Sequence, residues 1–163
     1  MYVNTSLTGL KPASQSSSFE KVQMDFHELH TVTGTCNYSH ILWKDGIRKA
    51  DNFISTDMLI LDMDGSDSME KMKKSFSNTK NVLFVTSKSH QKSNKVTDDG
   101  SPGKVIKPAD YYHIIIGLQQ PITDLNTYKK VMTNLINKYG ADPACKDGAR
   151  FFYGNPNQEY WYS

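Results

Sequence analysis

A chain of 163 residues is the size of one domain, long enough to bury a core without metal or disulfide staples. With 19 Lys and Arg against 17 Asp and Glu, the formal net charge of +2 marks no nucleic-acid binder by itself, though a local basic face stays open. No apolar run nears the roughly 20 residues that span a bilayer and the N-terminus carries no charged-then-apolar leader, so a soluble, unprocessed protein is expected.

Residues 1–18 are polar, hold Gly9 and Pro12 and end in Ser16-Ser17-Ser18, and they read as a lead-in arm with little structure of its own. Phe19, Val22, Phe26 and Leu29 then recur at three-to-four spacing. That spacing predicts a short amphipathic helix, ended by the β-branched Thr31-Val32-Thr33 and Gly34. His27 and His30 fall on or near it. With no third ligand nearby they read as structural or solvated histidines ahead of a metal pair. Cys36 and Cys145 belong to no Cys-x-x-Cys pair, which leaves no zinc signature or disulfide framework and fits a reducing compartment.

Tyr38-Ser39-His40-Ile41-Leu42-Trp43 and Ile47-Arg48-Lys49-Ala50 flank Lys44-Asp45-Gly46, and Asp-Gly between such segments predicts a β-hairpin. The hairpin would bring Arg48 and Lys49 near the next stretch; the alternative is that both are surface charges on an edge. The next stretch is Met58-Leu59-Ile60-Leu61-Asp62-Met63-Asp64-Gly65, an apolar run that predicts a buried strand ending in two carboxylates. On a strand Asp62 and Asp64 project from one face. Crowded carboxylates repel unless a cation or a shared proton compensates, which makes the pair a candidate metal site. The competing reading ends the strand at Leu61 and leaves both acids in a solvated turn.

Met69, Met72 and Phe76 predict a helix over residues 66–77, and Val82-Leu83-Phe84-Val85-Thr86 predicts a second buried strand, expected to pair in parallel with the first. Its end carries Thr86-Ser87-Lys88-Ser89-His90, a set that suits phosphate contact or is a plain polar loop. Residues 91–109 lack apolar periodicity and read as an exposed loop. A third strand covers residues 111–118, with His113 at its beginning and a break at Gln120-Pro121. Leu125, Tyr128, Met132, Leu135 and Ile136 predict a second helix, capped by Thr123 or Asp124 and stopped by Gly140. Asp142 and Asp147 precede Arg150 and an expected aromatic strand at Phe151-Phe152-Tyr153, and Tyr160-Trp161-Tyr162 is a last short strand or a stacking surface.

Taken in order, Leu59-Ile60-Leu61-Asp62-Met63-Asp64, then Thr86-Ser87-Lys88-Ser89-His90, then Tyr112-His113-Ile114-Ile115-Ile116, and then residues 142–152 resemble the archaeo-eukaryotic primase (AEP) superfamily, in particular the primase-polymerase domains of phages and plasmids. The resemblance runs over residues 38–156. It implies an α+β fold with a central mixed sheet, RRM-like in part, backed by helices and joined to an N-terminal αβ portion. The activity it implies is template-dependent nucleotidyl transfer from NTP or dNTP with Mg²⁺ or Mn²⁺. It further implies single-stranded DNA template and primer as partners, a replicative helicase domain or subunit alongside, and cytoplasmic action in a host cell. Residue by residue, it makes Asp62, Asp64 and Asp142 the metal-holding acids, with Asp147 as substitute. His113 becomes the triphosphate donor, with His90 as its competitor. Ser87, Lys88, Ser89 and Arg150 become phosphate contacts, and Arg48 and Lys49 outer nucleic-acid contacts.

Two rival readings come from other classes. Leu61-Asp62-Met63-Asp64-Gly65-Ser66 and Val82 to Ser87 resemble the nucleophile loop and second motif of haloacid dehalogenase-like phosphatases, with Asp62 attacking phosphorus. The later acidic pair of that family would have to be Asp98-Asp99, which follows a polar stretch. A non-catalytic single-strand-binding module with exposed aromatics is the other. An EF-hand at Asp62 fails, because Lys73 stands where a bidentate Glu is needed.

Overall fold

The computed structural model describes residues 1–10, 18–97 and 101–163, so the serine run of the polar arm up to Ser17, and Asp98-Asp99 with Gly100, lie outside the described residues. The backbone order is β1 (Tyr2–Thr8), β2 (Glu20–Asp25), α1 (Leu29–Thr35), β3 (Asn37–Ser39), β4 (Ile41–Trp43), β5 (Phe53–Asp64), α2 (Met69–Ser75), β6 (Val82–Thr86), β7 (Asn94–Val96), β8 (Pro102–Val105), β9 (Tyr111–Ile122), α3 (Leu125–Tyr139) and β10 (Tyr160–Tyr162). Among the described residues no helix is long and apolar enough to cross a membrane.

The central sheet has the order β10-β6-β9-β5-β4, and every neighbouring pair in it is antiparallel. The expected parallel pairing of β5 with β6 therefore does not form. The connection through α2 skips one position, and β9 fills it, because its run Tyr111-Tyr112-His113-Ile114-Ile115 is buried and is satisfied by strands on both sides. Register puts Asp62, His113 and Val85 in one row across the sheet and Met63, Tyr112 and Thr86 in the next. Residues directly opposite share a face, so the first row looks one way and the second the other. Phe76, just after α2, meets Phe84 on the second face, and Tyr139 of α3 meets Phe76. β9 also runs through Pro121 without breaking; β6 pairs with it only as far as Ile116, and a free edge tolerates proline.

Three other expectations are corrected in the N-terminal third. Tyr2–Thr8 is the central strand of a second sheet, β2-β1-β3, and not part of an unstructured arm; Val3 and Thr5 alternate inward from it. Glu20–Asp25 is an edge strand in place of the predicted helix, with Val22 and Met24 half-buried and Lys21 and Gln23 exposed, a period of two that the wider spacing concealed. The helix starts later, and Thr31, Val32, Thr33 and Gly34 lie inside it: Thr31, Thr33 and Thr35 hydroxyls donate back to carbonyls of the preceding turn. His30 stacks on Tyr160 and hydrogen-bonds Tyr162 at 3.2 Å, a packing role, while His27 is exposed.

The Asp45-Gly46 signal does make a turn, with φ of 55° and 66°. The strand that returns from it is β5, however, paired Ile41 with Thr56 and Trp43 with Phe53; Ile47 makes a single bridge, residues 48–49 are irregular and Ala50–Asn52 is a 3-10 turn. Asn94–Val96 and Pro102–Val105 pair as a small ribbon, β7 with β8, within the stretch that reads as a loop in the sequence. Among the described residues Phe151-Phe152-Tyr153 makes one bridge, Phe152 with Tyr38, and is not a ladder strand. The helix α3 matches its prediction at both ends: the Asp124 carboxylate accepts from the Thr127 N–H and Gly140 takes φ of 69°.

His40, between β3 and β4, is fully buried and its pKa is pushed down to about 3, chiefly by burial and secondly by the charge of Arg150. The Tyr128 hydroxyl of α3 donates to the Cys145 carbonyl at 2.7 Å, so it accepts from His40 Nε2 at 2.9 Å and leaves Nδ1 bare, with no partner among the described residues. As pH falls the unfolded chain takes this proton first. The contribution is therefore fully present above the ordinary value of 6.5 and is lost on the way down toward about 3. Urea unfolding at pH 7 and pH 4 is expected to differ by on the order of a few kcal/mol from this source, and His40→Asn to flatten the difference.

Candidate active site

The site is built at the end of β5, where the alternation of a strand separates Asp62 and Asp64 from fully buried Met63 between them. Both carboxylates line a cavity of about 220 Å³ with Ser87, Lys88, Ser89, Lys95, His113 and the run Arg150-Phe151-Phe152-Tyr153. β5, β9 and the turn after β6 thus deliver one acid pair, one imidazole and one hydroxyl-rich loop to the same hollow.

Asp62 is the most engaged member. Its Oδ2 accepts from the Arg150 guanidinium at 2.9 Å, and the same nitrogen donates to Asp142 Oδ2 at 3.3 Å. Its Oδ1 faces His113 Nε2 at 3.6 Å, beyond a direct hydrogen bond. The Asp142 N–H donates to the Asp62 carbonyl at 2.8 Å, which fixes the third acid to the end of the strand. The other Asp142 oxygen caps a 3-10 turn, Pro143–Lys146, by accepting from the Ala144 N–H at 2.9 Å. Behind the strand, the Asp62 N–H meets Cys145 Sγ at 3.2 Å, a thiol that burial pushes up to about 12. Asp64 accepts from Lys95 Nζ at 3.1 Å.

Burial lowers the pKa of His113, with Asp62 pulling the other way and Arg150 adding to the fall, so the imidazole is held neutral at pH 7. Its Nδ1 is 2.6 Å from the Tyr38 hydroxyl. Arg150 lies over Phe152 at 5.3 Å and, among the described residues, its buried Nε has no hydrogen-bond partner, so its charge is met by the two carboxylates.

Several residues singled out in the sequence stand elsewhere. His90 lines a second polar cavity, with Thr86, Lys92 and Asn155, that shares Ser87 and Lys88 with the first, and its Nδ1 accepts from the Tyr111 N–H at 3.3 Å. Asp147 accepts from the Ala149 N–H and shapes the turn before Arg150, and among the described residues it makes no hydrogen bond or ion pair with Asp62 or Asp64. Arg48 sits over the Phe151 ring at 4.6 Å and reaches the Ala149 carbonyl, one layer from the cavity, and Lys49 pairs with Asp51 in solvent. Conversely, Lys95, Tyr38 and Tyr153 were not foreseen. Lys95 came from a stretch with no periodic signal, and Tyr38 gave no sign beyond an aromatic strand start.

Among the described residues no three His, Cys, Asp or Glu side chains stand together as a ready-made metal cage. Arg150 lies between Asp62 and Asp142, and Lys95 covers Asp64. The donor set still fits a hard divalent cation, since it is carboxylate oxygen throughout and each acid already draws a positive charge to it.

No family model matches the chain, and no curated protein matches it in sequence. Among solved structures, the AEP domain of the primase-polymerase of cyanophage S-2L is similar to it, with a TM-score of 0.51, 11% identity, and coverage of 98% of this chain and 80% of that one. That likeness shows the fold: a mixed α+β, AEP-like architecture.

The Asp62–Arg150 pair is only partly exposed, so it is expected to be coupled. A double-mutant cycle with Asp62→Asn and Arg150→Met, read by urea unfolding, should give an interaction of about 1–3 kcal/mol, and additivity would show the pair to be incidental.

Proposed function

We propose that this chain is the catalytic domain of a DNA primase or primase-polymerase, which adds nucleotides from NTP or dNTP to a primer on a single-stranded template. The observation that carries the reading is the shared cavity: Asp62 and Asp64 on one strand face, with His113 and the Ser87-Lys88-Ser89 loop lining the same hollow, in an AEP-like fold. Asp62 and Asp64 would hold Mg²⁺ or Mn²⁺, with Asp142 completing the set from behind Arg150. When bound, such cations lower the pKa of a primer 3′ hydroxyl and stabilise the charge on departing pyrophosphate.

The chain's own groups supply the rest. Ser87 and Ser89 offer hydroxyls and Lys88 an ammonium at the mouth of the cavity, a donor set for phosphate oxygens. His113, neutral and buried, can donate from Nε2 without adding a charge that would compete for the acids. Arg150 neutralises Asp62 and Asp142 and would have a phosphate oxygen as an alternative partner. Phe151 and Tyr153 give the cavity an apolar wall suited to a sugar or base face.

An aspartyl-phosphate mechanism is less well supported. Of the two Asp62 oxygens, Oδ2 is tied to Arg150, which leaves Oδ1 as the one that could attack. The strands bearing the two phosphatase-like motifs are also not neighbours, since β9 stands between them. The acid pair that reading needs, Asp98-Asp99, falls outside the described residues.

Primer extension with labelled nucleotides and Mg²⁺ or Mn²⁺ tests the proposal. Asp62→Ala and Asp64→Ala are each expected to lower incorporation about 10²- to 10³-fold with the fold retained, and undiminished incorporation by Asp62→Ala would refute it. A second expectation concerns Lys95, whose exposed pair with Asp64 competes with a cation. Mn²⁺ titration followed by electron paramagnetic resonance should show Lys95→Ala binding the ion more tightly, by up to about fivefold, given the worth of a surface ion pair. Weaker binding would show that Lys95 does not occupy the cation's place.

A further inference from the structure

We infer that Tyr38 is a positioning residue for this site: its hydroxyl fixes His113 in the tautomer that carries the proton on Nε2, so that the ring presents a donor, not a lone pair, to the cavity. The inference rests on the proposed nucleotidyl transfer and adds to it a residue from outside the central sheet.

The geometry is simple. Tyr38 and His113 are 3% and 6% exposed, and the hydroxyl oxygen stands 2.6 Å from Nδ1. Among the described residues that hydroxyl has no other hydrogen-bond partner. A buried O–H left without an acceptor is costly, so its single proton goes to Nδ1, and Nδ1 must then be bare. The ring's proton is therefore on Nε2, the nitrogen that faces Asp62 Oδ1 at 3.6 Å across the cavity. The opposite tautomer would strand the tyrosine proton and turn the Nε2 lone pair toward a carboxylate and toward any incoming phosphate. Both would be repelled. Burial first, and Asp62 second, raise the Tyr38 pKa, so the phenol keeps the proton it donates.

Tyr38 is also held in place by the same segment that carries the site's arginine. Its N–H donates to the Phe152 carbonyl at 2.9 Å and the Phe152 N–H returns to its carbonyl at 2.8 Å, while the Ser39 hydroxyl donates to the Arg150 carbonyl at 2.7 Å. Phe152 stacks on the Tyr38 ring and packs against His113. Gly154 permits this approach, because a Cβ there would lie 2.2 Å from the Cys36 carbonyl oxygen. One three-residue strand of the N-terminal sheet thus sets the imidazole's tautomer and the backbone of Arg150 together.

The test uses the full chain, ¹⁵N-labelled, with long-range ¹H–¹⁵N spectra of the histidine rings and His113→Gln to assign the His113 signals. The wild type is expected to show Nε2 protonated and Nδ1 bare. Tyr38→Phe, which removes one oxygen, should populate the other tautomer and weaken nucleotide binding about five- to tenfold, the scale of one hydrogen bond, while circular dichroism stays that of the wild type. A wild-type spectrum with Nδ1 protonated overturns the inference without recourse to any variant. So does a folded Tyr38→Phe protein that keeps both tautomer and affinity. Wild-type protein that neither binds nor incorporates nucleotides removes the functional reading and the inference with it, even with the tautomer as expected; an active enzyme with the wrong tautomer removes the inference alone.

Discussion

The arrangement depends on how negative charge is neutralised at the end of β5. Asp62 and Asp64 project from the same face of a strand whose other face, at this end, is the buried apolar Leu59, Leu61 and Met63, so neither can turn away into the core on the far side. Asp142, tied to the Asp62 carbonyl through its N–H, adds another acid nearby. Arg150 and Lys95 answer these charges from two different parts of the chain, a bridged aromatic segment and a small ribbon. Each carboxylate thus meets a positive charge from the chain itself, and the neutral His113 beside them adds none.

The scaffold explains why the balance is held in place. β9 fills the slot between β5 and β6 and so carries His113 directly opposite Asp62, which a parallel pairing of β5 with β6 would have prevented. Helices cover one face of the sheet, while the N-terminal sheet approaches the other through Tyr38. The site is a seam between two sheets, and its imidazole is addressed from both.

Much of the site could be read in the sequence, because its core is a local pattern. An apolar strand ending in Asp-x-Asp shows in eight residues, whereas the weight given to His113 and to Asp142 ahead of Arg150 came from the family resemblance and not from local pattern. What could not be read was pairing. Nothing local says that β9 inserts between two earlier strands, that Val22 and Met24 follow a strand period inside a helix-like spacing, or that Tyr2–Thr8 becomes the middle of a sheet. Tyr38 and Lys95 were missed for the same reason, since each matters through a contact with residues far along the chain.

The central claim is that the acids at the end of β5 take a divalent ion together with a nucleotide. Anomalous diffraction from crystals grown with Mn²⁺ and a non-hydrolysable nucleoside triphosphate addresses it most directly. The account predicts Mn²⁺ on Asp62 and Asp64, with triphosphate oxygens against His113 and the Ser87-Lys88 turn and Lys95 withdrawn from Asp64. Nucleotide bound away from this hollow, or Lys95 and Arg150 still paired with the acids and no ion between them, would contradict it.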